Sequence, residues 1–125
     1  MSITEKSFSS PKGTITHFTI TNASGASVTL STLGAGIVSV MVPDKSGEMA
    51  NVALGYKDAA SWIADGPCMG KVPGRFANRI ARGHFTLEGK EYTLAINNGL
   101  NALHGGPEGF MNQIWDARTV GDNSV

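Results

Sequence analysis

With a single cysteine, Cys68, in 125 residues, the chain cannot form an intrachain disulfide, which excludes a disulfide-stapled scaffold. A reducing compartment is the natural reading, with Cys68 expected as a small buried hydrophobe. Neither charge is in excess. Ten Lys and Arg cancel ten Asp and Glu, so there is no electrostatic basis for binding nucleic acid or an anionic membrane. The longest apolar run, Ile37 to Val42, is far too short to span a bilayer. The opening residues Met1-Ser2-Ile3-Thr4-Glu5-Lys6 lack the apolar core of a secretion signal, so the chain as given reads as cytoplasmic. His17 and His84 have no partner at metal-ligand spacing, and no Cys or His cluster suggests zinc, so no metal is expected. Asn22-Ala23-Ser24 fits the glycosylation sequon, but in a cytoplasmic chain it is a polar turn.

What is abundant is glycine, sixteen residues of it, together with threonine and valine in short alternating runs. That pattern predicts strands at Thr14 to Ile20, Val28 to Leu33 and Gly36 to Val42, each bounded by Gly, Asn or Ser. Pro43-Asp44-Lys45-Ser46-Gly47 is a turn, and Asn51 to Leu54 reads as the returning strand. Asp58 to Trp62 predicts one helical turn with Asp58 as its N-cap. Phe85 to Leu87 and Tyr92 to Ile96 flank Glu88-Gly89-Lys90 as a tight hairpin. Gln113 to Val120 is a last periodic segment running into the turn residues Gly121 to Ser124, a hairpin begun without its second strand. It therefore reads as the end of an N-terminal fragment. Gly34-Ala35-Gly36 lacks the third glycine and following helix of a dinucleotide loop and reads as a strand bend. Trp115 is expected in the core, while Trp62 could sit there or stack on a ligand.

Two polar segments stand out against this β pattern. Gly74-Arg75-Phe76-Ala77-Asn78-Arg79-Ile80-Ala81 sets arginine and asparagine beside glycine, and Asn101-Ala102-Leu103-His104-Gly105-Gly106 sets a histidine among glycines. Such loops bring directional donors close to a ligand with little net charge, which suits a polyhydroxylated molecule. For Arg79 the competing reading is a carboxylate partner on the sheet surface, and for His104 a loop histidine bonding nearby backbone. Both stay open on residue chemistry alone.

The segments GRFANRIARG (Gly74 to Gly83), LEGKEYTLAINN (Leu87 to Asn98) and NALHGGPEGF (Asn101 to Phe110), with Trp115 behind them, resemble the aldose 1-epimerases, or galactose mutarotases. A looser match runs upstream through Leu33-Gly34-Ala35 and Val52 to Tyr56, so the likeness touches most of the chain. Leu100 stands where the family more often has proline, and family members are much longer. The resemblance implies an all-β fold: the N-terminal part of an antiparallel β-sandwich of the galactose mutarotase-like supersandwich type, with residues 1–125 as one segment of a single domain and no internal boundary. It implies mutarotation, the interconversion of α and β anomers of a hexose such as galactose or glucose. No cofactor is needed, because there is no net redox or group transfer. Asn78 and Arg79 match the family's sugar-contacting pair, and His104 its first histidine, in a supporting catalytic role. Arg75 falls outside the pair and is expected to be structural.

The resemblance also places the family's glutamate base and second histidine beyond Val125, and no local carboxylate, neither Glu88, Glu91 nor Glu108, matches that base. The expected partner is a small aldose sugar, with self-association through the unpaired Gln113 to Val120 edge. A non-catalytic carbohydrate-binding β-sandwich and a structural or interaction domain are the competing readings.

Overall fold

Strands dominate the computed structural model, which describes residues 1–64 and 66–125. β1 (Ser2–Ser10), β2 (Gly13–Thr21), β3 (Ser27–Ser31), β4 (Gly36–Pro43) and β5 (Met49–Asn51) form one antiparallel sheet in which each strand pairs with the next. Short turns make this order possible. Asn22 Oδ1 accepts from the Ser24 and Ala26 N–H groups, and Asp44 Oδ1 from those of Ser46 and Glu48. The sequon asparagine is thus a turn residue. The fold class is the expected one, all-β and antiparallel.

Register sorts the sheet into two unlike sides. Ile3↔Ile20, Phe18↔Leu30, Ile20↔Val28 and Val28↔Val40 share one side, while His17↔Ser31, Thr19↔Thr29 and Thr29↔Ser39 share the other. The more polar side carries a small core at one end. There Ile15 and Leu33 pack with Trp62, against Val38, Tyr56, Ile63 and Ile114. Trp62 is 1% exposed and comes from α1 (Ala59–Ile63), whose N-cap Asp58 accepts from the Ser61 N–H at 2.8 Å. That bond holds the Asp58 carboxyl below its ordinary range. Gly36 is where the ring lands, since a Cβ there would sit 2.7 Å from the indole. The rest of the chain forms two small ladders, β6 (Arg79–Ile80) with β9 (Ala102–Leu103), and the hairpin β7 (His84–Leu87) with β8 (Lys90–Thr93), where Phe85 stacks on Tyr92.

Several expectations are corrected. β1 was not foreseen, because Ser and Thr fill it and its apolar residues Ile3 and Phe8 break a strict alternation. The returning strand is Met49–Asn51 rather than Asn51 to Leu54: the Asn51 side chain accepts from the Val40 and Ala53 N–H groups and ends the ladder. Gln113 to Val120 is not a strand; Ile114 bridges Leu33 and Val120 bridges Ser124, with no ladder between. Trp115 is not core. It is 37% exposed, its Nε1 donating to the Phe110 carbonyl at 3.1 Å. Cys68 is half-buried in a turn with φ 65, its thiol 3.7 Å from the Lys71 carbonyl, so it does not serve as a buried hydrophobe.

On the polar side His17 packs edge-on to Phe8 at 4.9 Å, and its Nε2 is buried without a hydrogen-bond partner. Burial, with Lys6 adding like-charge repulsion, pushes the imidazole below its ordinary value of 6.5. Between that value and the lower folded one, the unfolded chain holds the extra proton. Stability therefore falls as pH falls through this window and is fully present above 6.5. We expect the urea midpoint to drop on going from neutral to mildly acidic pH. His17→Phe, which keeps the ring contact, should flatten that drop; an unchanged pH dependence would assign it to other groups.

Candidate functional site

In the β6–β9 ladder Arg79 pairs with Leu103 and Ile80 with Ala102, so the loop entering β6 and the loop leaving β9 emerge at the same end. There Asn78 and His104 bond each other twice. The Asn78 N–H donates to His104 Nδ1 at 3.1 Å, and the His104 N–H donates to the Asn78 carbonyl at 3.1 Å. Both residues are left-handed, φ 62 and 53. Asparagine tolerates that region and histidine is enriched there, but neither adopts it without a cost that neighbouring contacts must offset.

The first bond fixes the histidine's chemistry. Because Nδ1 accepts, the neutral ring carries its hydrogen on Nε2, which is therefore a donor. Arg79 is held in turn: its Nε donates to Asn98 Oδ1 at 2.9 Å and its Nη1 to Asn78 Oδ1 at 3.3 Å. Among the described residues nothing engages Nη2, and Asn78 Nδ2 makes no bond either. Arg79 thus has amide-oxygen partners rather than a carboxylate. Asn78 and Arg79 are exposed and His104 is half-buried, so the three present hydrogen-bond donors on an open surface.

Asn97, Asn98 and Asn101 are the functional residues that sequence reasoning missed. Asn97 brackets Leu103, accepting from its N–H at 2.7 Å and donating to its carbonyl at 2.9 Å. Asn98 orients Arg79, and Asn101 Oδ1 accepts from the Arg82 N–H at 3.2 Å. The signal was present as three asparagines within Asn97-Asn98-Gly99-Leu100-Asn101.

Glycine closes the two loops onto each other. The Phe110 N–H donates to the Gly74 carbonyl at 3.0 Å, and the Phe110 ring covers Gly74. A methyl group on Gly105 would overlap that same carbonyl oxygen, at a backbone φ of +89. Arg75 places its guanidinium 5.4 Å from the Phe110 ring centroid, a packing contact. The local carboxylates are engaged elsewhere: Glu91 lies 3.9 Å from His84, and Glu108 accepts from Gln113 through its carbonyl at 3.0 Å. Among the described residues no group of His, Cys, Asp and Glu could hold a metal ion, and no helix is long and apolar enough to cross a membrane.

The sequence profile of the aldose 1-epimerase family matches residues 16–125. The chain belongs to the aldose 1-epimerase family. It is similar to galactose mutarotase from Bos taurus, 47% identical over 87 residues that make up 70% of this chain and 25% of that protein. It is also similar to aldose 1-epimerase from Escherichia coli (strain K12), 36% identical over 107 residues, 86% of this chain and 31% of that one. The crystal structure of an aldose epimerase homologue from C. elegans superposes with a TM-score of 0.75 at 36% identity, over 82% of this chain and 32% of its own. The chain thus spans about a quarter to a third of the length of these relatives.

The glycine contact makes a test. Gly25 also has a positive φ, +86, but open space around it, so Gly25→Ala measures backbone strain alone. Gly105→Ala adds the overlap with Gly74 and should cost clearly more than the control, whose strain is on the order of 1 kcal/mol. Equal losses in denaturant melts would show that the loop contact yields easily.

Proposed function

We propose that this chain carries the sugar-holding half of an aldose 1-epimerase site, with Asn78, Arg79 and His104 as its sugar contacts. The observation that supports this most directly is the paired bond between Asn78 and His104, which leaves His104 Nε2–H and the Arg79 Nη2 edge as fixed donors. A pyranose presents hydroxyls and a ring oxygen, all able to accept. Fixed neutral donors and one delocalised cation suit it without needing charge from the ligand.

Mutarotation opens the ring. The anomeric hydroxyl gives up its proton to a base while the ring oxygen takes one from an acid. The aldehyde then turns about its bond to the neighbouring carbon, and the steps reverse on the other face. His104, with hydrogen on Nε2, can donate toward a sugar oxygen and polarise it; with Nδ1 occupied by the Asn78 N–H it has no second position from which to act as base. Its role is supporting. The principal acid and base are proposed to lie in the part of the family framework that this chain does not match.

This separates binding from turnover. The chain alone should bind glucose or galactose weakly and accelerate anomer exchange little, because a positioned acid and base each contribute on the order of 10²–10⁴-fold. NMR titration with galactose should shift the amides of Asn78, Arg79 and His104, and Arg79→Ala should abolish those shifts. Asn98→Ala should weaken binding less, by loosening Arg79 without removing it. Polarimetry of freshly dissolved α-D-galactose is the decisive companion. Enzyme-like acceleration lost in His104→Ala would mean that a local glutamate acts as base, and no amide shifts at any sugar concentration would remove the binding role.

A further inference from the structure

We propose that the more apolar side of the five-stranded sheet is a docking surface for a second, strand-forming polypeptide, the part of the aldose 1-epimerase framework outside the region this chain matches. Strand register puts Ile3, Phe18, Ile20, Val28, Leu30 and Val40 on one side. Of these only Phe18 is buried, and the rest are half-covered. The Trp62 core lies on the opposite side, where Thr19, Thr29 and Ser39 also face. The sheet thus turns its richer apolar side to water, the reverse of what a half-buried antiparallel sheet does when its layer is complete.

The surface has the shape and edge a strand needs. At one end an open groove of about 530 Å³ runs between Phe18 and Leu30 on the sheet and Trp115, Val120 and Val125 opposite. The two charged residues in its lining, Asp116 and Arg118, cancel, so the groove does not select a charged ligand. Among the described residues, the backbone of residues 116–119 forms no hydrogen bond to another strand, leaving donors and acceptors for a partner's edge.

Two observations name the occupant. The relatives share this framework, with a TM-score of 0.75 for the C. elegans homologue, yet this chain spans only 25–32% of their length. The remainder must pack somewhere on the same framework, and the uncovered apolar side is the surface left for it. A second copy of this chain would cover the face but bring only the same donors. The site's missing acid and base, a requirement that rests on the mutarotase reading, call for a different polypeptide.

The test mixes the full chain with a polypeptide comprising the portion of the Escherichia coli aldose 1-epimerase beyond the region it matches. Light scattering should give a one-to-one complex. Methyl signals of Ile20, Val28 and Leu30 in the unaltered chain should shift on mixing. Val28→Lys should weaken the complex at least tenfold, while Thr4→Lys, on the other side of the sheet, should leave it intact. The methyl shifts keep the test sound should Val28→Lys fail to fold. No complex, a homodimer only, or equal binding by the two variants would each overturn the proposal. A one-to-one complex through these methyls that does not accelerate mutarotation would leave the docking standing and overturn the mutarotase reading instead.

Discussion

The close crossing of two loops, with the Gly74 carbonyl seated against Gly105 and Asn78 bonded twice to His104, is the constraint on which the site depends. Its energetics are finely balanced. Two left-handed non-glycine residues cost on the order of 1–3 kcal/mol each. Two hydrogen bonds return about 0.5–1.5 kcal/mol each. The pair alone does not offset its own strain, so further contacts are required. They are supplied by the Phe110 bond to the Gly74 carbonyl, the Phe110 ring over Gly74, and the β6–β9 ladder that brings both loops to one end. The strain sits at the residues proposed to meet the sugar, where a fixed geometry is worth most.

Around this crossing the chain uses asparagine where many sites use carboxylates. Asn97 binds both backbone groups of Leu103, Asn98 holds Arg79, Asn101 holds Arg82, and Asn78 joins Arg79 to His104. An amide can brace a guanidinium without neutralising it. Arg79 therefore keeps its full charge toward solvent, whereas a carboxylate partner would have drawn it into an ion pair. The same logic accounts for the near absence of strong electrostatics in the loops: neutral hydrogen-bonding groups suit a neutral polyol and give little hold to an anion.

The strands were legible in proportion to how far local pattern decided them. Thr14 to Ile20, Gly36 to Val42 and the Glu88-Gly89-Lys90 hairpin alternate cleanly between turn residues, and the structure forms them with only their ends moved. Asp58 was legible as a cap because its side chain bonds only three residues away. Ser2–Ser10 was not, since a serine-rich edge strand owes its conformation to pairing with β2 rather than to its own residues. Gln113 to Val120 alternated but found no partner beyond Leu33, so its pattern produced extended backbone without a ladder. Trp115 shows the same limit: an aromatic residue is buried only where something packs against it. At the site, the donors Asn78, Arg79 and His104 could be read from residue chemistry and resemblance. The asparagines behind them could not, because their role is a contact between segments far apart in sequence.

The histidine tautomer links these observations to the chemistry. A ring free at both nitrogens could accept from one sugar hydroxyl and donate to another, which is the minimum for moving a proton across a hemiacetal. Here the Asn78 N–H takes Nδ1, and the ring is reduced to a single outward donor at Nε2. That loss of versatility is the cost of orientation: the bond that aims the imidazole removes it from service as a base. The nearest glutamates are occupied by His84 and Gln113, so no second group in this chain completes the proton path. A site built this way fixes where a sugar would lie and leaves the proton transfer to groups from elsewhere in the framework. The sheet with its apolar side uncovered is consistent with that division, since the polypeptide that covered it could also bring the acid and the base.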